Sequence, residues 1–153
     1  MPLLVGNLLI DPGVNSFISD ADAVAYLAVE AAPPTSAVGR WLLLDQTARE
    51  GSLVRASRWM ADVLNWRFRN LSDAEMLRVA HVAARMAASS VTLDLYSSQK
   101  EGKFKRVKAD TVEVEYRDGT LTAQAAGFSW PWLLPALDGL LRERRLGIGV
   151  LVV

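Results

Sequence analysis

The stretch from Ser72 to about Ser97 limits the possible folds more than any other part of the chain. It opens Ser72-Asp73-Ala74-Glu75, a capping box in which the serine hydroxyl accepts from the glutamate amide and the glutamate reaches back to the serine amide. Met76, Val79, Ala80, Ala83, Met86 and Ala87 then recur at helical spacing, and Leu77, Ala84, Ala88, Val91 and Leu95 widen that face almost all the way round. Only Arg78, His81, Arg85, Ser89 and Thr92 keep a narrow polar stripe. A helix so apolar must be covered on several sides, and its alanines let neighbours come close, so the pattern predicts the central helix of a bundle.

Other helix signals surround it. Ser19 suits the N-cap of a helix running to about Ala32, with Asp20 and Asp22 at its positive end. Phe17 and Ile18 stand just before the cap, placed to staple onto Ala23, and Pro33-Pro34 stops the helix. Ala37 to Leu44 reads as a short helix or turn carrying Trp41, Leu42 and Leu43 inward. Asp45 caps a longer helix to about Leu64. Leu53, Ala56, Met60 and Val63 or Leu64 lie on one side of it, with Arg55, Arg58 and Asp62 opposite. Gly51 falls inside that pattern and weakens it by roughly 1 kcal/mol relative to alanine. Trp66 to Leu71 is a loop with aromatic anchors.

The period changes at Glu101. Lys103, Lys105 and Val107 interleave with Phe104, Arg106 and Lys108, and Thr111 to Tyr116 alternates Val112, Val114 and Tyr116 with Glu113 and Glu115. Two strands joined near Ala109-Asp110 are expected, with the basic strand set against the acidic one. Thr120 to Phe128 reads as loop, and Pro131 suits the first turn of a last helix from Trp132 to about Arg145. The expected fold is therefore mainly α: one domain over 1–145 of about four to five helices, an inserted β-hairpin at about 103–117, and an extended apolar tail over 146–153.

Composition narrows function. Acidic and basic residues number seventeen each, whereas a dedicated nucleic-acid binder usually carries a basic excess. Without cysteine there are no disulfides, thiolate metal sites or cysteine nucleophiles, and one histidine leaves little for a zinc site or a histidine triad. The N-terminus lacks the basic region of a signal peptide, and no apolar run approaches the roughly 20 residues that span a bilayer. About half the residues are hydrophobic, which suggests surface reserved for partners.

Few constellations carry chemistry. His81 lies between Arg78 and Arg85 on the polar stripe, a poor position for a general base and an ordinary one for a surface or interface histidine. Carboxylates fall in caps or on the Glu113–Glu115 strand, with no apolar setting to tune an acid–base pair. No enzyme, cofactor or metal site is expected. Lys100, Lys103, Lys105, Arg106 and Lys108 with Phe104 form a basic segment suited to nucleic acid; the plain alternative is a solvated hairpin whose lysines pair with Glu113 and Glu115 or guard a sheet edge. The tail Leu146, Ile148, Val150, Leu151 and Val152 either folds back onto the core or adds to a groove or sheet of another chain, in which case Arg142, Arg144 and Arg145 meet acidic residues of that partner. Trp130 and Trp132 read as core or intersubunit anchors.

Four runs together resemble the small head–tail connector proteins of tailed phages, also called adaptors or head-completion proteins and often labelled DnaT-like single-stranded DNA-binding proteins. The runs are Asn15 to Leu27; Asp45 to Leu64 with Ala48, Leu53, Ala56, Ser57, Trp59, Met60 and Asp62; Val107 to Tyr116; and Trp130 to Leu141 with the Gly-spaced apolar tail. The likeness covers nearly the full length, in order. The chain departs between Trp66 and Ser72, where such proteins often carry a longer Arg- and Gly-rich segment. The resemblance implies a structural virion protein: a ring, commonly of twelve copies, beneath the portal of a filled capsid. That ring extends the DNA channel and meets the tail terminator or stopper. It implies that the C-terminal segment reaches the portal or a neighbouring subunit, that contact with the double-stranded genome is non-specific, and that assembly takes place in the host cytoplasm without a membrane. For a ring, lysines of the basic hairpin repeated round the tunnel form a positive collar. The family's other label implies a single-stranded DNA-binding replication accessory that uses Lys100 to Lys108.

Overall fold

The computed structural model describes residues 2–95 and 130–142, and among these residues five helices pack together. They are α1 (Asp20–Ala28), α2 (Ala37–Leu42), α3 (Gln46–Val63), α4 (Asp73–Ser89) and α5 (Leu133–Ala136). α4 is the hub, packing on each of the other four. Val79, Val82, Ala83, Ala84, Met86, Ala87 and Ala88 are buried along it. Its small side chains let α1, α2 and α3 approach, and Trp41, Trp59, Phe17, Leu27, Leu53 and Met60 fill the space around it without exposure. The fold is thus mainly helical, and no described helix is long and apolar enough to cross a membrane.

The helix starts follow local chemistry. Ser19 Oγ accepts from the Asp22 amide at 3.1 Å, Ser36 Oγ from Gly39 at 3.0 Å and Asp45 Oδ1 from Ala48 at 2.8 Å. The Ser72–Glu75 box is closed in both directions, at 3.2 and 2.9 Å. Each bond satisfies an amide that the first turn leaves without a helical acceptor.

The run Asn15-Ser16-Phe17 is a knot of polar contacts beneath α1. Asn15 accepts from the Leu4 amide at 2.8 Å and donates to the Pro2 carbonyl at 3.1 Å. The backbone of residues 4–6 adds a short parallel bridge to Ser16. Ser16, fully buried, donates to the Ile18 carbonyl at 2.7 Å. The Phe17 amide donates to Ser57 Oγ on α3 at 3.0 Å, which fixes the entry to α1 on the middle of α3.

Several expectations are corrected. α1 ends at Ala28 rather than near Ala32, because the chain turns at once and Ala31 takes a left-handed conformation, φ +49°. Leu43 is 73 % exposed and Leu77 58 % exposed, so neither faces inward; Trp41 alone of the Trp41–Leu43 trio is fully buried. α4 ends at Ser89, not Ser97, in a cluster of hydroxyls that bond its last carbonyls: Ser89 to Arg85, Ser90 to Ala87 and Thr92 to Ser89. The last helix is one turn long. Leu137 leaves helical geometry, Gly139 at φ +84° reverses the chain, and residues 140–142 pair with 65–67 instead. The Arg67 amide donates to Leu140 at 2.9 Å, and Arg142 to Asn65 at 2.7 Å. The expected hairpin at 103–117 and the tail at 146–153 lie outside the described residues.

Gly39 is required by a close approach. A Cβ there would lie 2.0 Å from the Pro33 carbonyl oxygen, which already accepts from both the amide and the hydroxyl of Ser36. The bare glycine lets α2 rest on the Pro33-Pro34 turn.

Candidate functional site

The polar stripe of α4 borders an open groove of about 520 Å³. α4 supplies Arg78, His81, Val82, Arg85, Ala88 and Ser89; α1 supplies Tyr26, α2 supplies Ala37 and Val38, and the α5 region supplies Trp132 and Ala136. Four elements therefore meet at one concavity, and the stripe of the central helix that the other described helices leave uncovered forms one edge of it.

Its side chains are held in place. The His81 ring stacks on Tyr26, with centroids 3.9 Å apart and planes 6° from parallel. Arg85 donates to the Tyr26 hydroxyl at 3.3 Å, lies 5.6 Å over its ring and pairs with Glu30 on the rim. Arg78 Nη2 donates to the carbonyls of Ala136 and Asp138, both at 2.9 Å, and so ties α5 to α4. The two arginines differ in consequence. Arg85 has a carboxylate partner, whereas Arg78 is held by neutral carbonyls, with no ion pair among the described residues.

The described residues of the groove form no catalytic pair. Among the described residues no carboxylate lines the groove, and His81 makes no side-chain hydrogen bond to orient it as a base. The geometry suits binding: cationic and aromatic groups above small apolar walls.

Of the residues expected from the sequence to contact a partner, a neighbouring subunit or DNA, three are described. Trp130 is half-buried and meets Trp59 edge-on, at 5.8 Å and 84°. Trp132 is half-buried on the groove wall. Arg142 is exposed at the end of the 140–142 segment, away from the groove lining. The two tryptophans are thus separated in role, one inside the bundle and one at the groove. Lys103, Phe104, Lys105, Arg106, Lys108, Arg144, Arg145, Leu146, Ile148, Val150, Leu151 and Val152 lie outside the described residues. Sequence reasoning found the Arg78–His81–Arg85 stripe from its spacing but not the groove. Tyr26, Val38 and Trp132 come from distant segments, and no local pattern links them.

No protein-family model, curated protein or solved structure matches the chain.

Proposed function

We propose that this chain is a head–tail connector adaptor of a tailed phage, a structural rather than catalytic protein. It forms a ring of about twelve copies under the portal, extends the DNA channel and docks the tail terminator or stopper. Its place is the capsid–tail junction of the virion, reached from the host cytoplasm. The count of copies follows from the resemblance, as do the portal and channel roles.

One observation carries the reading. Of the four runs that bear the resemblance, the three that fall among the described residues are packed onto each other in the core. Phe17 of the first donates to Ser57 of the second, and Trp59 of the second meets Trp130 of the last. Residues that make the sequence look like a connector therefore join its N-terminal knot, its second long helix and its closing segment into one frame. The balanced charge of the chain favours binding energy between proteins over binding to nucleic acid.

In this role, Arg142, Arg144 and Arg145 with the apolar residues of 146–153 contact the portal or the neighbouring subunit. Lys103, Lys105, Arg106 and Lys108 face the channel, where they need no sequence readout. The test compares two variants for co-sedimentation with the portal. Deleting 146–153 removes assembly, while Lys103→Glu with Lys105→Glu leaves it nearly unchanged. The reverse pattern, together with single-stranded DNA affinity that falls steeply with salt, supports instead the replication accessory that uses Lys100 to Lys108.

A further inference from the structure

The groove along α4 has no role in the ring reading and stands apart from it. The geometry points to a docking site for an extended, acidic peptide segment of a partner protein, one in which carboxylate side chains alternate with apolar ones.

Charge selects the carboxylates. Among the described residues that line the groove none is acidic, while Arg78, His81 and Arg85 lie along one edge. Glu30 engages Arg85 from the rim. Arg78 is held by two carbonyls, which orient the guanidinium without neutralising it. His81 is fixed by its stack on Tyr26, so its orientation costs a ligand little entropy. A carboxylate entering here meets a positioned guanidinium that has no carboxylate partner among the described residues, the stronger class of hydrogen-bonding partner.

Shape selects an extended segment. From Arg78 to Ser89 the groove follows α4 for about 16 Å at 1.5 Å per residue, a length covered by about five residues of extended chain. Away from α4, Val38 on α2 and Trp132 beside α5 line the same groove and give it apolar surface for the side chains that point the other way. An extended backbone places successive side chains on opposite sides, so alternating acidic and apolar residues meet both edges at once. A nucleic-acid strand would find the cations, but Tyr26 and His81 already stack on each other, which leaves Trp132 as the one other aromatic side chain of the described lining for successive bases.

The experiment is fluorescence anisotropy of a labelled, end-blocked peptide of alternating glutamate and valine, titrated with the full chain. The same peptide with glutamine for glutamate and a short oligothymidylate are the comparison probes. The glutamate peptide should bind at least about tenfold more tightly than the glutamine peptide. Its binding should shift the NMR signals of Trp132 and His81. Arg78→Gln should weaken it about as much. Because Arg78 also ties α5, a second variant, Val38→Glu, fills the apolar wall with a repelling charge while leaving that tie in place, and should abolish binding. Arg55→Gln, on the exposed side of α3, should leave it unchanged. Equal binding of the two peptides, binding of neither, full binding by Val38→Glu, or tighter binding of the oligothymidylate at these same residues would each overturn the assignment.

Discussion

Arg49, one turn into α3, closes its guanidinium on both carboxylate oxygens of Asp20, the first residue of α1, at 2.7 and 2.9 Å. The pair bridges 29 positions of sequence and is mostly shielded from solvent, with side-chain exposures of 17 % and 13 %. It joins the start of α1 to the start of α3, and the same guanidinium lies 5.8 Å over the Trp41 ring on α2. The hydrogen bond to Asp20 raises the Arg49 pKa above its ordinary value, outweighing the opposite effect of burial. A raised folded-state pKa means that this contribution is fully present below the unfolded value and is lost only as pH climbs through the folded one. For arginine that is the strongly alkaline range.

Asp20→Ala should therefore destabilise the bundle by about 2 kcal/mol, more than an exposed ion pair is worth and less than a fully buried one. Urea unfolding measures it. A double-mutant cycle with Arg49→Met should recover much of that loss as coupling between the two. Additive losses would show that each side chain acts separately.

Ser57→Ala should cost about 1–3 kcal/mol, because it leaves the buried Phe17 amide without its acceptor. Hydrogen exchange of the Phe17 amide should accelerate in the variant along with the fall in unfolding midpoint. An unchanged midpoint would mean that the knot at Asn15–Phe17 is held by the Leu4 contacts alone.

The backbone positions make a matched pair of opposite sign. Gly39→Ala should destabilise by about 1–3 kcal/mol, since its methyl would drive α2 off the Pro33 carbonyl. Ala31→Gly should stabilise by about 0.5–1 kcal/mol, the relief of a left-handed alanine less the added freedom of the unfolded chain. Thermal unfolding of the two variants checks both signs.

What the sequence made legible was local. The caps at Ser19, Asp45 and Ser72 needed only the next three residues, and the alanine face of α4 needed only its own period. The central position of α4 followed from these. The ends of α1 and α5 were misread because they depend on single conformations, φ +49° at Ala31 and +84° at Gly139, and on the pairing of 140–142 with 65–67. Apolar character alone placed Leu43 and Leu77 inside, yet the fold leaves them on the surface. Arg49–Asp20 and Phe17–Ser57 are invisible in sequence for a plain reason: each joins segments 29 or 40 residues apart, and many such pairings are possible. The groove shares that character. Its charged stripe was readable on α4, but its walls come from α1, α2 and the start of α5.

The measurement closest to the central claim is native mass spectrometry of the purified chain, alone and mixed with the portal of the same virus. The account predicts a complex carrying about a dozen copies of the chain per portal, whether or not the ring forms unaided. A chain that stays monomeric and ignores the portal would contradict it.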